Sequence, residues 1–232
     1  NDGIIATKLG LQGIPVSAEL LILERDLTLL EYKNCRYHIS QISSASSVEI
    51  IRERKKKVNF SCGVSINNLS LNENDIGDFK TFLKLSPPLR TEDDRNALVQ
   101  GLVDETIDVI VSDHKPEDEE NKRLTFAQAE TGASGIETLL PLSLELYHNG
   151  SVNLETIIKA LTSSPAKILK INKGNLSIGN DADFCIVDTK KPWVVRKEKL
   201  ISKSKNTPIE DKKLQGKVMN TFVNGEELFK AE

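Results

Sequence analysis

The chain alternates between two hydrophobic periods. Residues 15–32 set Leu20, Leu21, Leu23, Leu27 and Leu30 at helical spacing, with Glu24, Arg25 and Asp26 between them. Pro15 and Ser17 supply a proline and a capping hydroxyl at the front of that helix. Residues 37–43 read as a strand, and Ser44 opens a helix that carries Val48 and Ile51 above a charged face. A strand over 58–64 follows, then a short one over 82–85 before Pro87-Pro88. Thr91-Glu92-Asp93-Asp94 has the form of a capping box with Asp in the place of Glu, which predicts a helix through Val103. The apolar run at 107–112 predicts a fourth strand.

Four strand–helix units in succession predict an α/β fold with parallel strands and helices outside them. Four strands are half of an eight-stranded barrel. Residues 136–148 and 154–169 predict two further helices around a turn at Asn149-Gly150. Beyond Gly174 the texture changes to glycine turns and short β runs at 184–187, 193–195 and 218–229, with a hairpin turn at Asn224-Gly225. The expected organisation is therefore a half barrel over residues 1–173 and a small β module over 174–232.

Composition narrows the function classes. With 232 residues and 38% hydrophobic content the chain can build a sizeable core. A net charge of −3 gives no electrostatic footprint for nucleic acid or an anionic membrane. The basic run Lys55-Lys56-Lys57 reads as a solvated helix end. No stretch approaches the roughly 18 apolar residues of a membrane span, and no signal-peptide pattern opens the sequence. Cys35, Cys62 and Cys185 are too scattered for a disulfide framework or a metal motif. They are expected to be buried reduced thiols in a cytoplasmic protein.

Candidate chemistry gathers at the end of the fourth strand, where Ser112-Asp113-His114-Lys115-Pro116 places a carboxylate and then breaks. In strand–helix alternation, such a position is where barrel enzymes keep their reactive groups. The chain has three histidines, His38, His114 and His148, too few for a metal cluster by themselves. His114 is expected to pack behind the site, and His148 to lie at a helix end. In an alternating strand His38 and Gln41 face opposite sides. The acidic run from Glu117 to Glu120 reads as a solvated loop rather than a cation site, and Arg90 as a loop shaper that could clasp a carboxylate.

Several segments together resemble one family. Leu11-Gln12-Gly13-Ile14-Pro15 comes first, then Lys84-Leu85-Ser86-Pro87-Pro88-Leu89-Arg90 with Glu92-Asp93-Asp94-Arg95 behind it. Gly135-Ile136-Glu137-Thr138, Ala182-Asp183-Phe184 and Ser204-Lys205-Asn206-Thr207-Pro208 follow in order. This series resembles the carboxyl-terminal half of the dihydroorotases, members of the amidohydrolase superfamily. The resemblance implies strands 5–8 of a (β/α)8 TIM-type barrel plus a small β-sandwich. It implies zinc-dependent, reversible hydrolysis of dihydroorotate to carbamoyl aspartate in pyrimidine biosynthesis.

Carried over by motif, Asp113 falls on the family's strand-8 aspartate, an acid/base and metal-side residue. The family's strand-5 motif His-x-x-His-x-Ser reads His38-Ile39-Ser40-Gln41-Ile42-Ser43 here, so Gln41 occupies a ligand place. The strand-6 motif Pro-His-His-Leu reads Ile66-Asn67-Asn68-Leu69, so Asn67 replaces an imidazole. On the substrate side, Ser86 stands where the family has asparagine before Pro-Pro-Leu-Arg. Glu117 stands where its Asp-His-Ala-Pro-His ends in histidine. Amides are weak, neutral zinc ligands, so zinc is expected to be absent or weakly held.

The expectation is a non-catalytic dihydroorotase-like protein that acts as a structural partner of aspartate carbamoyltransferase within a homo- or hetero-oligomer. The alternative is an active zinc-dependent dihydroorotase, or a related cyclic-amide hydrolase, whose remaining ligands lie in the other half of the barrel.

Overall fold

The computed structural model describes residues 1–33 and 35–231. Helices α1 (Ile4–Leu9) and α2 (Val16–Tyr32) lead into strand β1 (His38–Ile42), helix α3 (Ala45–Arg54) and strand β2 (Ser61–Ser65). The short helix α4 (Ile66–Ser70), helix α5 (Glu92–Val103) and strand β3 (Val109–Val111) complete the first sheet. This sheet is parallel and open, in the order β1-β2-β3. Strands β2 and β3 are buried almost throughout, as parallel strands under helices are, while edge strand β1 buries only Ile39 and Ile42. Leu27, Ile42, Ile51, Leu69, Leu98 and Leu142 are among the side chains packed into the core around it.

Local chemistry sets most boundaries. Ser44 caps α3 by accepting from the Ser47 amide, and Thr91 with Asp94 forms the expected capping box at α5. At α2 the expected hydroxyl cap does not form: Pro15 holds the cap position and Ser17 lies inside the helix.

The strand expected at 82–85 is a single 3-10 turn, Thr81–Leu83. Leu83 and Leu85 are both buried, which imitates strand alternation in the sequence. Strand β2 pairs directly with β3, Gly63 opposite Val109, so the sheet has no slot for another strand there. The first sheet therefore has three strands rather than four, and it does not close on itself.

The chain continues through α6 (Glu119–Lys122), α7 (Leu139–His148), α8 (Leu154–Leu161) and α9 (Ser163–Leu169). The helix expected over 154–169 breaks at Thr162, whose backbone leaves the helical region (φ −130°, ψ −80°). Pro165 has no N–H to bond back to Leu161, which favours the break. Three antiparallel strands close the fold: β4 (Phe184–Val194), β5 (Lys213–Val223) and β6 (Glu226–Lys230), in the order β4-β5-β6. The two short runs expected at 184–187 and 193–195 are one strand with an irregularity after Asp188. The hairpin turn at Asn224-Gly225 is present, both residues having positive φ (50° and 80°).

Among the described residues this is a single sheet, not a sandwich, and it packs against α7. A Cβ on Gly216 (φ 106°) would sit 2.3 Å from Leu144 Cδ1, so glycine is what lets strand and helix approach. Trp193 Nε1 on β4 donates to the Gly216 carbonyl on β5 at 3.1 Å. Phe184 and Phe222 stack between neighbouring strands with centroids 4.6 Å apart. Among the described residues, no helix is long and apolar enough to cross a membrane.

Candidate active site

Register places the candidate residues at one end of the parallel sheet. Ser65 on β2 pairs with Val111 on β3, and Asn67 and Asp113 each follow two residues later. Asp113 leaves its strand in the left-handed region (φ 48°), where a residue without a β-branch can turn sharply. Its side chain is only 3% exposed. Gln41, from the end of β1, donates from Nε2 to Asp113 Oδ1 at 2.9 Å. A carboxylate can only accept, so the amide must present its N–H here. Lys115 Nζ stands 3.2 Å from the same Oδ1 and donates to the Ser86 carbonyl at 2.9 Å.

Asn67 is buried in the first turn of α4, with its backbone N–H held by Ser65 Oγ at 3.2 Å. Asn67 Nδ2 and Gln41 Oε1 are buried polar atoms without a hydrogen-bond partner. The adjacent Asn68 donates from Nδ2 to the Pro88 carbonyl at 3.0 Å. Ser86 thus joins the cluster through its backbone. Glu117 lies further out: its N–H donates to Asn206 Oδ1 at 3.3 Å, and it lines an open cleft with His114, Asp118, Lys203 and Lys205.

This donor set does not suit zinc. It offers one carboxylate, two neutral amides and an ammonium, where zinc takes thiolate, imidazole and carboxylate. No group of three or more His, Cys, Asp or Glu is arranged to hold a metal among the described residues.

The histidine side chains make other bonds. His114 Nδ1 accepts from the Gly135 amide at 3.2 Å, and its backbone bridges to Ala133. His38 bonds Ser61 Oγ at 2.7 Å, and burial lowers its pKa. His148 ends α7 and bonds the Thr189 carbonyl at 2.9 Å.

Arg90 is buried and donates to Ser43 Oγ at 3.1 Å, Asn1 Oδ1 at 3.1 Å and the Ile14 carbonyl at 2.5 Å, and among the described residues it clasps no carboxylate. The expectation of three buried thiols needs correction. Of the cysteines only Cys62 is buried, with burial pushing its thiol well up, while Cys35 and Cys185 are exposed. The acidic run is partly helical, Glu119 pairing with Arg123 at 3.2 Å on the surface.

Several residues around the site act as fasteners. Asn206 is fully buried and accepts from Ser134 Oγ at 2.7 Å while donating to the Gly132 carbonyl at 3.1 Å and the Lys115 carbonyl at 3.4 Å. Glu137 receives the Ile201 and Ser202 amides at 2.9 and 3.1 Å. A Cβ on Gly135 would sit 2.3 Å from the Ser112 carbonyl oxygen. Glu19 gathers the Ser43 amide at 3.0 Å and Ser44 Oγ at 3.2 Å, together with the Ser43 and Ser47 hydroxyls, in front of α3. Lys115 is the site residue that motif reading overlooks. Its signal is a lysine where the family's Asp-His-Ala-Pro-His has alanine.

The sequence profile of the amidohydrolase family matches residues 9–228. Dihydroorotase from Ehrlichia chaffeensis is 42% identical over 234 residues, covering 100% of this chain and 52% of the relative. That from Geotalea daltonii is 40% identical, covering 100% of this chain and 55% of the relative. The chain spans about half the length of the curated relatives it matches. Among solved structures, L-hydantoinase (dihydropyrimidinase) from Arthrobacter aurescens superposes with a TM-score of 0.87 at 28% identity, over 93% of this chain and 49% of that one. Dihydropyrimidinase from Brevibacillus agri superposes at 0.84 with 22% identity over 93% of this chain and 49% of that one, a likeness of fold alone. With its motifs in family order and the match running nearly end to end, the chain belongs to the amidohydrolase family and is similar to its dihydroorotases.

Proposed function

We propose that this chain is a dihydroorotase-type frame that has lost hydrolysis and serves as a structural partner of aspartate carbamoyltransferase. One observation carries the reading. Gln41, at a ligand place of the family motif, turns an N–H toward Asp113 at 2.9 Å, where a ligand would turn a lone pair toward metal. The carboxylate is thereby engaged by donors rather than left open to a cation. Ser86 and Glu117 at the substrate positions point the same way, since a carboxylate at Glu117 repels a dicarboxylic ligand. No hydrolytic step is assigned to these residues.

Assembly is supported by the outer side of α2, where Leu21 (71% exposed), Ile22, Leu29 and Tyr32 (81%) lie within an arc of about 100°. The reading keeps the division into a barrel half over residues 1–173 and a β module over 174–232.

A second reading, a zinc-dependent hydrolase completed by ligands from the other half of the barrel, draws on the unpartnered Gln41 Oε1 and Asn67 Nδ2. The two are separated by assaying both directions of the dihydroorotate reaction alongside elemental analysis and co-elution with the transferase. The structural reading expects no turnover above a heat-killed control and a complex burying at least roughly 1,200 Å². Chelator-sensitive turnover, or independent elution of a fully active transferase, would overturn it.

A further inference from the structure

Asp113 is a carboxylate with a 3% exposed side chain, and a buried charge needs a compensating partner. Gln41 offers a dipole but no charge. The charge comes from Lys115, whose ammonium lies 3.2 Å from the same oxygen that Gln41 reaches. The Lys115 backbone is fixed independently of its side chain: its N–H donates to the Ala133 carbonyl at 2.8 Å, and its carbonyl accepts from Asn206 at 3.4 Å. Gly132 makes this possible, because a Cβ there would sit 2.7 Å from the Lys115 carbonyl oxygen.

With that anchor, a four-carbon stem that is 46% exposed is free to swing into solvent. It is instead turned back over Asp113 and onto the Ser86 carbonyl at 2.9 Å. The cluster sums to zero charge and links three separate segments: the end of β1, the end of β3 and the loop that carries Ser86.

We infer that Lys115 is a built-in counter-cation for Asp113, taking over the electrostatic duty that a divalent metal would have at this end of the sheet. The inference rests on the reading of the site as metal-free and deepens it by naming the group that replaces the metal.

A double-mutant cycle tests it. Wild type, Asp113→Asn, Lys115→Met and the double variant are unfolded in urea at neutral pH, and their thermal midpoints are taken with zinc chloride and with chelator. Lys115→Met is expected to lower the midpoint by roughly 2–4 °C, the shift a change of about 1 kcal/mol gives in a chain of this size. The double variant should lose clearly less than the sum of the single losses, because the second change removes a charge already orphaned by the first. Lys115→Arg, which keeps the charge, should retain most of the coupling. Additive losses, in a wild type indifferent to zinc and chelator, would overturn the role of Lys115 alone. A wild-type midpoint raised by zinc, with the rise abolished in Asp113→Asn, would overturn the metal-free reading itself.

Discussion

Gln41 and Asp113 are joined by a 2.9 Å hydrogen bond although their strands, β1 and β3, lie on opposite sides of β2 in the sheet. The bond spans the carboxyl end of the middle strand, and the middle strand's own candidate, Asn67, follows that end, buried in the first turn of α4. The two side chains meet around an amide proton.

Substituting Gln41→Leu removes a donor from a buried carboxylate and is expected to cost about 1–3 kcal/mol of stability. Gln41→Glu sets a second carboxylate against Asp113 and should cost more at neutral pH than in mild acid, where protonation relieves the repulsion. Urea midpoints at two pH values measure both. Equal losses for Gln41→Glu at both would show that the two side chains are not in contact.

Asn206 ties the Glu117 N–H, Ser134 Oγ and the Gly132 carbonyl through one amide, at 3.3, 2.7 and 3.1 Å. Asn206→Ala removes a donor from the buried Gly132 carbonyl and an acceptor from Ser134 Oγ, which keeps the Ser204 carbonyl at 3.1 Å, and is expected to cost on the order of 1–3 kcal/mol. Amide hydrogen exchange should rise in the loops around residues 113–117 and 132–135, with strand β5 unchanged. Exchange that rises uniformly would mean that Asn206 supports the whole fold rather than these loops.

Lys122 is fully buried, with its ammonium donating to the carbonyls of Thr81, Lys84 and Glu130 at 3.1, 3.3 and 2.7 Å. Burial pushes its pKa down to about 8. Below that pH both the folded and unfolded chains hold the proton, and the folded state bears the full cost of burying the charge. Between about 8 and the ordinary lysine range near 10.4, the unfolded chain binds a proton that the folded chain has released, so this group's contribution to stability rises with pH. The unfolding free energy of wild type minus that of Lys122→Met should therefore climb through that window. A flat difference would remove the titration from this residue.

The capping box at α5, the Asn224-Gly225 hairpin and the parallel run of β1, β2 and β3 were legible from sequence, because each depends on a local period or a short-range bond. The strand expected at 82–85 was not, since Leu83 and Leu85 alternate for burial in a loop as they would in a strand. Only the pairing of Gly63 with Val109 decides that no strand enters there. The single helix expected over 154–169 likewise yielded to a break at Thr162.

For the site, the sequence by itself determined which residue types stand at the family positions: Gln41, Asn67, Ser86, Asp113 and Glu117. The tertiary structure decided what they do. It brings Gln41 to Asp113 across 72 positions of sequence and turns Lys115 onto the same oxygen. It also buries Asn206, Arg90 and Lys122 as fasteners. A charge's partner is set by distance in space and by desolvation, and neither is encoded in the spacing of residues along the chain.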